Sequence, residues 1–251
     1  MADPRSALLI GAERLCVRYA LDMSQGAALV SYAERLVNDP LAPTTVRRPQ
    51  AVVDDHLADA LVALELPQLR GLGAGAVIAD LGTGAGIPGI PLAIALPEVT
   101  VVLVEANERK CDFMRSVLDE LGIGNAEVAT TRAETWDGGR CRCDVVTARA
   151  LAALDVIEEY AAPLLSIGGV LVAWRGKRDL DAEADGRYAA SLLGLELRDP
   201  VAVKPYQGAE HRHLHVAVKV SDTPPRFPRR DGVARKRPLG AARRCVKPGQ
   251  G

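Results

Sequence analysis

The chain of 251 residues has no run that approaches the roughly 18 to 20 consecutive apolar residues of a membrane-spanning helix. Its first residues, MADPRSALLI, lack a basic stretch followed by a long apolar one, so we expect no secretory signal. The five cysteines are an odd number and widely scattered, which suits a reducing cytosol better than a disulfide framework. These absences together favour a cytoplasmic protein without a membrane anchor.

Aromatic residues are also scarce, at 4% of the chain. Stacking of RNA bases on an aromatic sheet face therefore has few candidate residues. Hydrophobic residues (48%) and charged residues (25%) are at levels ordinary for a globular protein, which excludes a disordered chain, a collagen-like fibre and a coiled coil. Any nucleic-acid binding should rest mainly on charge and shape.

The net charge of −1 hides an asymmetry along the chain. Residues 224–251 contain nine Lys or Arg and one acid, a net charge of +8, which leaves −9 for the rest. A basic tail on an acidic body suits a polyanionic partner, although charge alone equally fits a solvated terminus. The tail is rich in Pro and Arg and poor in hydrophobic residues, so we expect it to have no fold of its own.

Hydrophobic periodicity divides the remaining chain into a helical part and an alternating part. Residues 1–70 have apolar residues at helical spacing. From residue 76 onward, short apolar runs alternate with helical patterns of roughly 10 to 15 residues, which predicts βαβ units and a mostly parallel sheet. The predicted strands are 76–80, 99–105, 126–130, 143–147 and 170–174. The predicted helices are 90–96, 108–121, 153–165 and 179–193. Residues 195–203 and 213–220 are two extended runs that predict an antiparallel pair.

A glycine-rich loop, DLGTGAGIPG at residues 80–89, follows the first predicted strand directly. In open α/β sheets ligands bind beyond the carboxyl ends of strands, and glycines let a ligand approach bare backbone. Gly84, Gly86 and Gly89 match the dinucleotide fingerprint of a nicotinamide-dependent oxidoreductase, but the first glycine would lie late for the turn that ends the strand. The other register is Asp80-x-Gly82-x-Gly84-x-Gly86, with Glu105 ending the next strand. This register resembles class I S-adenosylmethionine-dependent methyltransferases.

The resemblance narrows to the RsmG (GidB) family, whose members form 7-methylguanosine in bacterial 16S ribosomal RNA. Residues 80–95, DLGTGAGIPGIPLAIA, are similar to that family's motif, including the paired Pro88 and Pro91. Further segments resemble the family in order and spacing, and together cover roughly residues 50–240: Glu105 with Arg109, Lys110 and Phe113, then 132–134, 147–150, 175–177, 212–214, 227–232 and 236–239.

This resemblance implies a Rossmann-like fold and a set of cofactor-binding residues. Gly82, Gly84 and Ile87 would surround the methionine portion of S-adenosylmethionine, while Asp80 orders the loop. Glu105 would accept hydrogen bonds from the ribose hydroxyls. The remaining roles fall on residues further along the chain: Ala133 and Glu134 would border the adenine, and Arg149 would lie nearest the reaction pocket and pair with the cofactor carboxylate or a substrate phosphate.

The expected organisation is an N-terminal helical extension (1–70), a methyltransferase domain (71–222) and a basic, flexible tail (223–251). The expected partner is 16S ribosomal RNA or the small ribosomal subunit, bound by a monomer. His211, His213 and His215 alternate on a strand but have no evident fourth ligand, so we expect no metal. We expect no catalytic acid or base either, because guanine N7 already carries a free lone pair. A non-catalytic RNA-binding or assembly factor with the same fold remains an alternative.

Overall fold

The structure, a computed structural model, describes residues 3–245. Its contacts divide the chain into two compact units. One comprises Met1–Thr131 and Lys204–Glu210, and the other Arg132–Val203 and His211–Gly251. The N-terminal helices thus share a unit with the first strands. They do so because they pack against the helices that flank those strands.

The helices of the first unit have the periodicity that the sequence predicts. α2 begins at a capping box in which Asp22 and Gln25 exchange hydrogen bonds, and its apolar stripe is buried. The helices up to residue 70 are α1 Pro4–Tyr19, α2 Met23–Asn38, α3 Pro49–Val52, α4 Asp59–Leu61 and α5 Pro67–Arg70. A π-helical turn, Val53–Ala58, joins α3 to α4, and a 3₁₀ turn, Val62–Glu65, follows α4.

Three parallel strands form the sheet of the first unit, in the order β3-β2-β1: β1 Val77–Leu81, β2 Thr100–Glu105 and β3 Ala126–Thr130. α6 Gly89–Ala95 and α7 Glu108–Leu121 are the crossover helices. Leu81 pairs with Val104 at the carboxyl ends of β1 and β2, so the glycine loop and Glu105 begin side by side.

The second unit contains two parallel strands, β4 Cys143–Arg149 and β5 Leu165–Arg175, joined through α8 Leu154–Ala161. α9 Leu180–Leu193 precedes two short strands, β6 Leu195–Leu197 and β7 Val201–Val203. Both pair antiparallel with β8 Arg212–Lys219, which also pairs antiparallel with β5. The extended run predicted at 195–203 therefore forms two strands, β6 and β7, in place of one. It is interrupted because Pro200 has no N–H to donate to the ladder. α8 is shorter than predicted because Leu165 already belongs to β5.

The basic C-terminal segment has local structure as far as it is described. It contains α10 Val233–Lys236 and α11 Leu239–Cys245, and Phe227 is only 6% exposed. This differs from the expectation of a tail without a fold, because the segment contacts buried carboxylates of α8. The last six residues of the expected tail, 246–251, lie outside the described residues.

The architecture confirms the predicted α/β class with mostly parallel strands and N-terminal helices. Over residues 3–245, none of the helices combines the length and the apolar character needed to cross a bilayer.

Candidate functional site

The turn after β1 has the register in which Gly82 is the first loop residue. The Gly82 N–H donates to the Val104 carbonyl at 2.8 Å, and its φ of 64° lies in the left-handed region that glycine tolerates. The tight turn at the strand end is therefore made by Gly82. Gly84, the first glycine of the dinucleotide fingerprint, comes only afterwards, which favours the methyltransferase register.

Asp80 holds the loop from beneath. Its side chain is fully buried, and its Oδ2 accepts hydrogen bonds from the Gly89 N–H at 2.9 Å and from the Thr83 hydroxyl at 2.5 Å. One carboxylate thus joins the start of the loop to the first residue of α6. A Cβ on Gly89 would lie 2.9 Å from the same oxygen, so the residue at this position must be glycine for the contact to form.

Glu105 lies at the end of β2 and is 9% exposed. Its Oε2 accepts from the Gly84 N–H at 3.2 Å and lies 3.5 Å from the Lys110 ammonium group. Its Oε1 accepts from the Asn107 N–H at 2.9 Å. A carboxylate has about four lone-pair sites, and the two backbone N–H groups use one on each oxygen, so both oxygens keep acceptor capacity for the vicinal hydroxyls of a ribose.

The backbone at Gly84 is open in the manner that a bound cofactor requires. A Cβ there would meet nothing closer than the Gly82 carbonyl at 4.0 Å, and φ is 64°. Ile87 follows on the same loop, with its N–H donating to the Thr83 carbonyl at 3.0 Å. A surface of bare backbone beside an acceptor carboxylate fits the nucleoside cofactor that the sequence implies.

The loop is also held from α2, a contact that sequence reasoning missed. The hydroxyl of Tyr32, which is fully buried, donates to the Ala85 carbonyl at 2.8 Å. A Cβ on Gly86 would lie 2.4 Å from the Ile90 side chain, so the loop packs closely against α6. A tyrosine within an apolar helical stripe is the available signal, because a buried hydroxyl needs a partner.

The structure brings together five of the predicted site residues within the first unit: Asp80, Gly82, Gly84, Ile87 and Glu105. The other three belong to the second unit. Ala133 and Glu134 form a single 3₁₀ turn, Ala133–Thr135, in which both are half-buried, and Glu134 Oε1 accepts a long hydrogen bond of 3.5 Å from the Gly232 N–H.

Arg149 is the last residue of β4 and lies opposite Trp174 of β5. Ala150, which follows it, has a φ of 53°, so the chain turns sharply there. Ala152 accepts a hydrogen bond from the Arg175 guanidinium at 2.9 Å, which holds the loop after β4 against β5.

The alternating histidines differ in burial, since His211 is exposed and His215 is buried. Burial lowers the pKa of His215 to about 4, while His213 Nδ1 lies 3.0 Å from the Gly176 carbonyl. Within the described part of the chain, no group of three His, Cys, Asp or Glu side chains could hold a metal ion. Cys143 is buried and Cys141 is exposed, and both are free thiols.

Comparison with known proteins gives one consistent family. The model of the GidB family, rRNA small subunit methyltransferase G, matches residues 25–213. A ribosomal RNA small subunit methyltransferase G of Desulfitobacterium hafniense is 38% identical over 213 residues, which are 83% of this chain and 87% of that protein. Its counterpart in Rubrobacter xylanophilus is 40% identical over 199 residues, covering 77% of this chain and 75% of that protein.

Solved structures share the fold at lower identity. A SAM-dependent methyltransferase from Aquifex aeolicus superposes with a TM-score of 0.53 and 16% identity, over 76% of this chain and 98% of that one. A variant of a 16S rRNA adenine-N1-methyltransferase from Catenulisporales acidiphilia gives a TM-score of 0.51 and 17% identity, over 62% and 90%. The fold is that of the Rossmann-like methyltransferases.

Proposed function

The chain belongs to the GidB family of rRNA small subunit methyltransferases G, and from that membership we propose that it methylates N7 of a guanine in 16S ribosomal RNA, with S-adenosylmethionine as donor. The observation that carries the proposal is the loop between β1 and α6. There Asp80 and Glu105 fix a turn of bare glycine backbone at the carboxyl ends of adjacent strands.

Five residues of the first unit would hold the donor through backbone and carboxylate groups. Gly82, Gly84 and Ile87 would line the methionine portion, with Asp80 keeping their turn in place. Glu105 would accept from the ribose hydroxyls, since its two oxygens still have acceptor capacity. In the second unit, Ala133 and Glu134 would border the adenine.

When bound, the donor would supply a methyl group from its sulfonium sulfur, and the lone pair of guanine N7 would accept it as the S–CH₃ bond breaks and its electron pair returns to sulfur. No residue of the chain has to remove a proton, because N7 carries no hydrogen. The work of the protein is therefore positioning, which can contribute a large part of the rate enhancement in a two-substrate reaction. Because positive charge is present throughout, acidic and polar groups around the centre are favourable.

Arg149 would bind one anionic group near the reaction. Its planar guanidinium suits either the cofactor carboxylate or an RNA phosphate, both of which accept two parallel hydrogen bonds. Its place at the end of β4, before the sharp turn at Ala150, is the position from which parallel-sheet enzymes usually contact ligands.

The RNA would be bound through charge and shape. Arg226, Arg230 and Lys236 of the C-terminal segment are cations available for phosphate contacts, as is the exposed Lys177. We propose that the protein acts as a monomer in the cytoplasm on 16S RNA within the small ribosomal subunit or a precursor of it.

Two other functions fit the geometry less well. A nicotinamide-dependent oxidoreductase would need Gly84 at the tight turn, where Gly82 stands. A non-catalytic RNA-binding factor would have no use for an open glycine backbone beside a carboxylate with spare acceptor capacity.

The proposal is tested by methyl transfer with the full chain. The protein is incubated with methyl-labelled S-adenosylmethionine and small ribosomal subunits from cells that lack it, with large subunits in parallel. Label in RNA of the small subunit alone is expected. No label in either, from protein that binds the donor in calorimetry, would refute the enzymatic function.

A further inference from the structure

The basic C-terminal segment is anchored to α8 by buried carboxylates. Glu159 is fully buried, and its Oε1 accepts from the Arg229 N–H at 3.0 Å and from the Arg229 Nε–H at 2.8 Å. Asp155, 4% exposed, accepts from the Gly240 N–H at 2.9 Å. With Phe227 also buried, both ends of residues 227–240 are fixed. We call this stretch the C-terminal strap.

Between its anchors the strap contacts the turn that carries Glu134. Asp231 Oδ2 lies 3.2 Å from Arg132 Nε, and the Gly232 N–H donates to Glu134 Oε1 at 3.5 Å. The 3₁₀ turn Ala133–Thr135 is only three residues long and has no side-chain cap. A 3₁₀ turn has poor hydrogen-bond geometry of its own, and the strap adds two contacts from outside.

The strap also contacts the loop that follows β4. Arg235 donates to the Leu151 carbonyl at 3.1 Å, two residues beyond Arg149. Tyr160 of α8 lies near Glu134. Burial raises the pKa of the Tyr160 hydroxyl to about 12, and the Glu134 carboxylate adds to that rise. Strap residues 231–235 thus reach both elements of the second unit that the proposed function uses.

We propose that the C-terminal strap is a positioning element for cofactor binding, which fixes the Glu134 turn and the loop after Arg149. This inference rests on the proposed function, because it takes Ala133 and Glu134 as the residues that border the adenine. It gives Asp231, Gly232 and Arg235 a role separate from any attraction of the segment to RNA. They are positioning residues, since none of them is placed in contact with the reacting atoms.

A purely electrostatic role of the strap in binding RNA makes a different prediction from the positioning role. Two substitutions distinguish these roles. Asp231→Asn removes an acid from a basic segment, so a purely electrostatic role for the segment predicts RNA binding that is as tight or tighter and an unchanged cofactor affinity. The positioning role predicts weaker cofactor binding, because Arg132, at the start of the turn, loses its ion pair with Asp231. Arg230→Gln is the matched control: Arg230 is exposed, lies next to Asp231, and its side chain makes no hydrogen bond or ion pair within residues 3–245.

The experiment measures the Kd of S-adenosylmethionine by calorimetry without RNA, using the full chain. Because the Asp231–Arg132 pair is solvent-exposed, we expect Asp231→Asn to raise the Kd by about two- to fivefold. Arg235→Gln should raise it by a similar factor, since it removes one charge-assisted hydrogen bond. The double variant should bind about tenfold more weakly, and Arg230→Gln should bind as the parent protein does.

Kinetics supply a readout that a merely structural role would not change. Both strap variants should raise the KM for S-adenosylmethionine and leave kcat at saturating donor unchanged, and Arg235→Lys should recover part of the loss. If Asp231→Asn and Arg235→Gln both had the Kd and KM of the parent protein, the inference would be overturned. The proposed function would still stand in that case, because the parent protein would be active. A parent protein that does not bind the donor would overturn both.

Discussion

The hydroxyl of Tyr32 in α2 donates a hydrogen bond of 2.8 Å to the Ala85 carbonyl in the middle of the glycine loop. Both residues are almost completely buried, at 0% and 5% exposure. An N-terminal helix therefore helps to set the backbone conformation that the cofactor would contact. The helices before residue 70 contribute to the candidate site and are more than an appendage to the methyltransferase fold.

Tyr32→Phe should lower the free energy of unfolding by about 1 to 3 kcal/mol, because it leaves the buried Ala85 carbonyl without this donor. It should also weaken binding of S-adenosylmethionine, since the loop loses one of its fixed contacts. Urea unfolding and calorimetry measure the two effects. Tyr188→Phe is the control, because the Tyr188 hydroxyl makes no hydrogen bond within the described residues. Equal loss in both variants would contradict the role given to Tyr32.

Glu105→Gln should weaken binding of S-adenosylmethionine by about ten- to hundredfold, because hydrogen bonds to a charged acceptor are stronger than those to an amide. The side chain keeps its size, so the fold should persist. The control is Glu127→Gln, which makes the same change at an exposed position of the neighbouring strand β3. If Glu105→Gln bound S-adenosylmethionine as tightly as the parent protein, Glu105 would not be the residue that binds the ribose.

Local patterns were enough to predict most elements of the sheet. α7 and β3 begin and end at the predicted residues, and the glycine spacing after residue 80 gave the correct loop register. These features depend on periodicity and turn chemistry within a few residues, which a single sequence contains.

The missed features depend on contacts between distant residues. Tyr32 and Ala85 are 53 positions apart, and Arg229 and Glu159 are 70 apart. The composition of the C-terminal segment, rich in Arg and poor in hydrophobic residues, predicted that it would have no fold of its own. Because Glu159 and Asp155 lie on a helix that also forms part of the core, nothing in their local pattern indicates that they bind the C-terminal segment.

Arg229→Ala should destabilise the protein by about 3 to 5 kcal/mol, since it leaves the Glu159 carboxylate buried without its main partner. Combining it with Glu159→Gln should recover part of that loss, because the buried charge is then gone. Thermal and urea unfolding of the single and double variants form a cycle that measures the coupling. A loss no larger than that of Arg230→Ala would show that the ion pair does not hold the strap.

Stability should fall as pH rises, owing to Glu158. The side chain is fully buried, and burial together with the nearby Asp155 carboxylate holds its pKa well above the ordinary value. The folded state therefore retains a proton that the unfolded state releases, so this contribution is present at low pH and is lost as pH rises through the folded-state pKa. Glu158→Gln, which resembles the protonated form, should gain stability relative to the parent as pH rises above the ordinary Glu pKa of about 4.3. The raised pKa assigned to Glu158 would be contradicted if the unfolding free energies of the two proteins changed in parallel as pH rises.

The most direct test of the central claim is the identity of the modified nucleoside. Small ribosomal subunits from cells that lack the protein are incubated with it and methyl-labelled S-adenosylmethionine, and the RNA is then digested to nucleosides and separated by chromatography. The account predicts that the label co-migrates with 7-methylguanosine and that Glu105→Gln greatly reduces its amount at limiting donor. Label in any other nucleoside, or none from a protein that binds the donor, would contradict it.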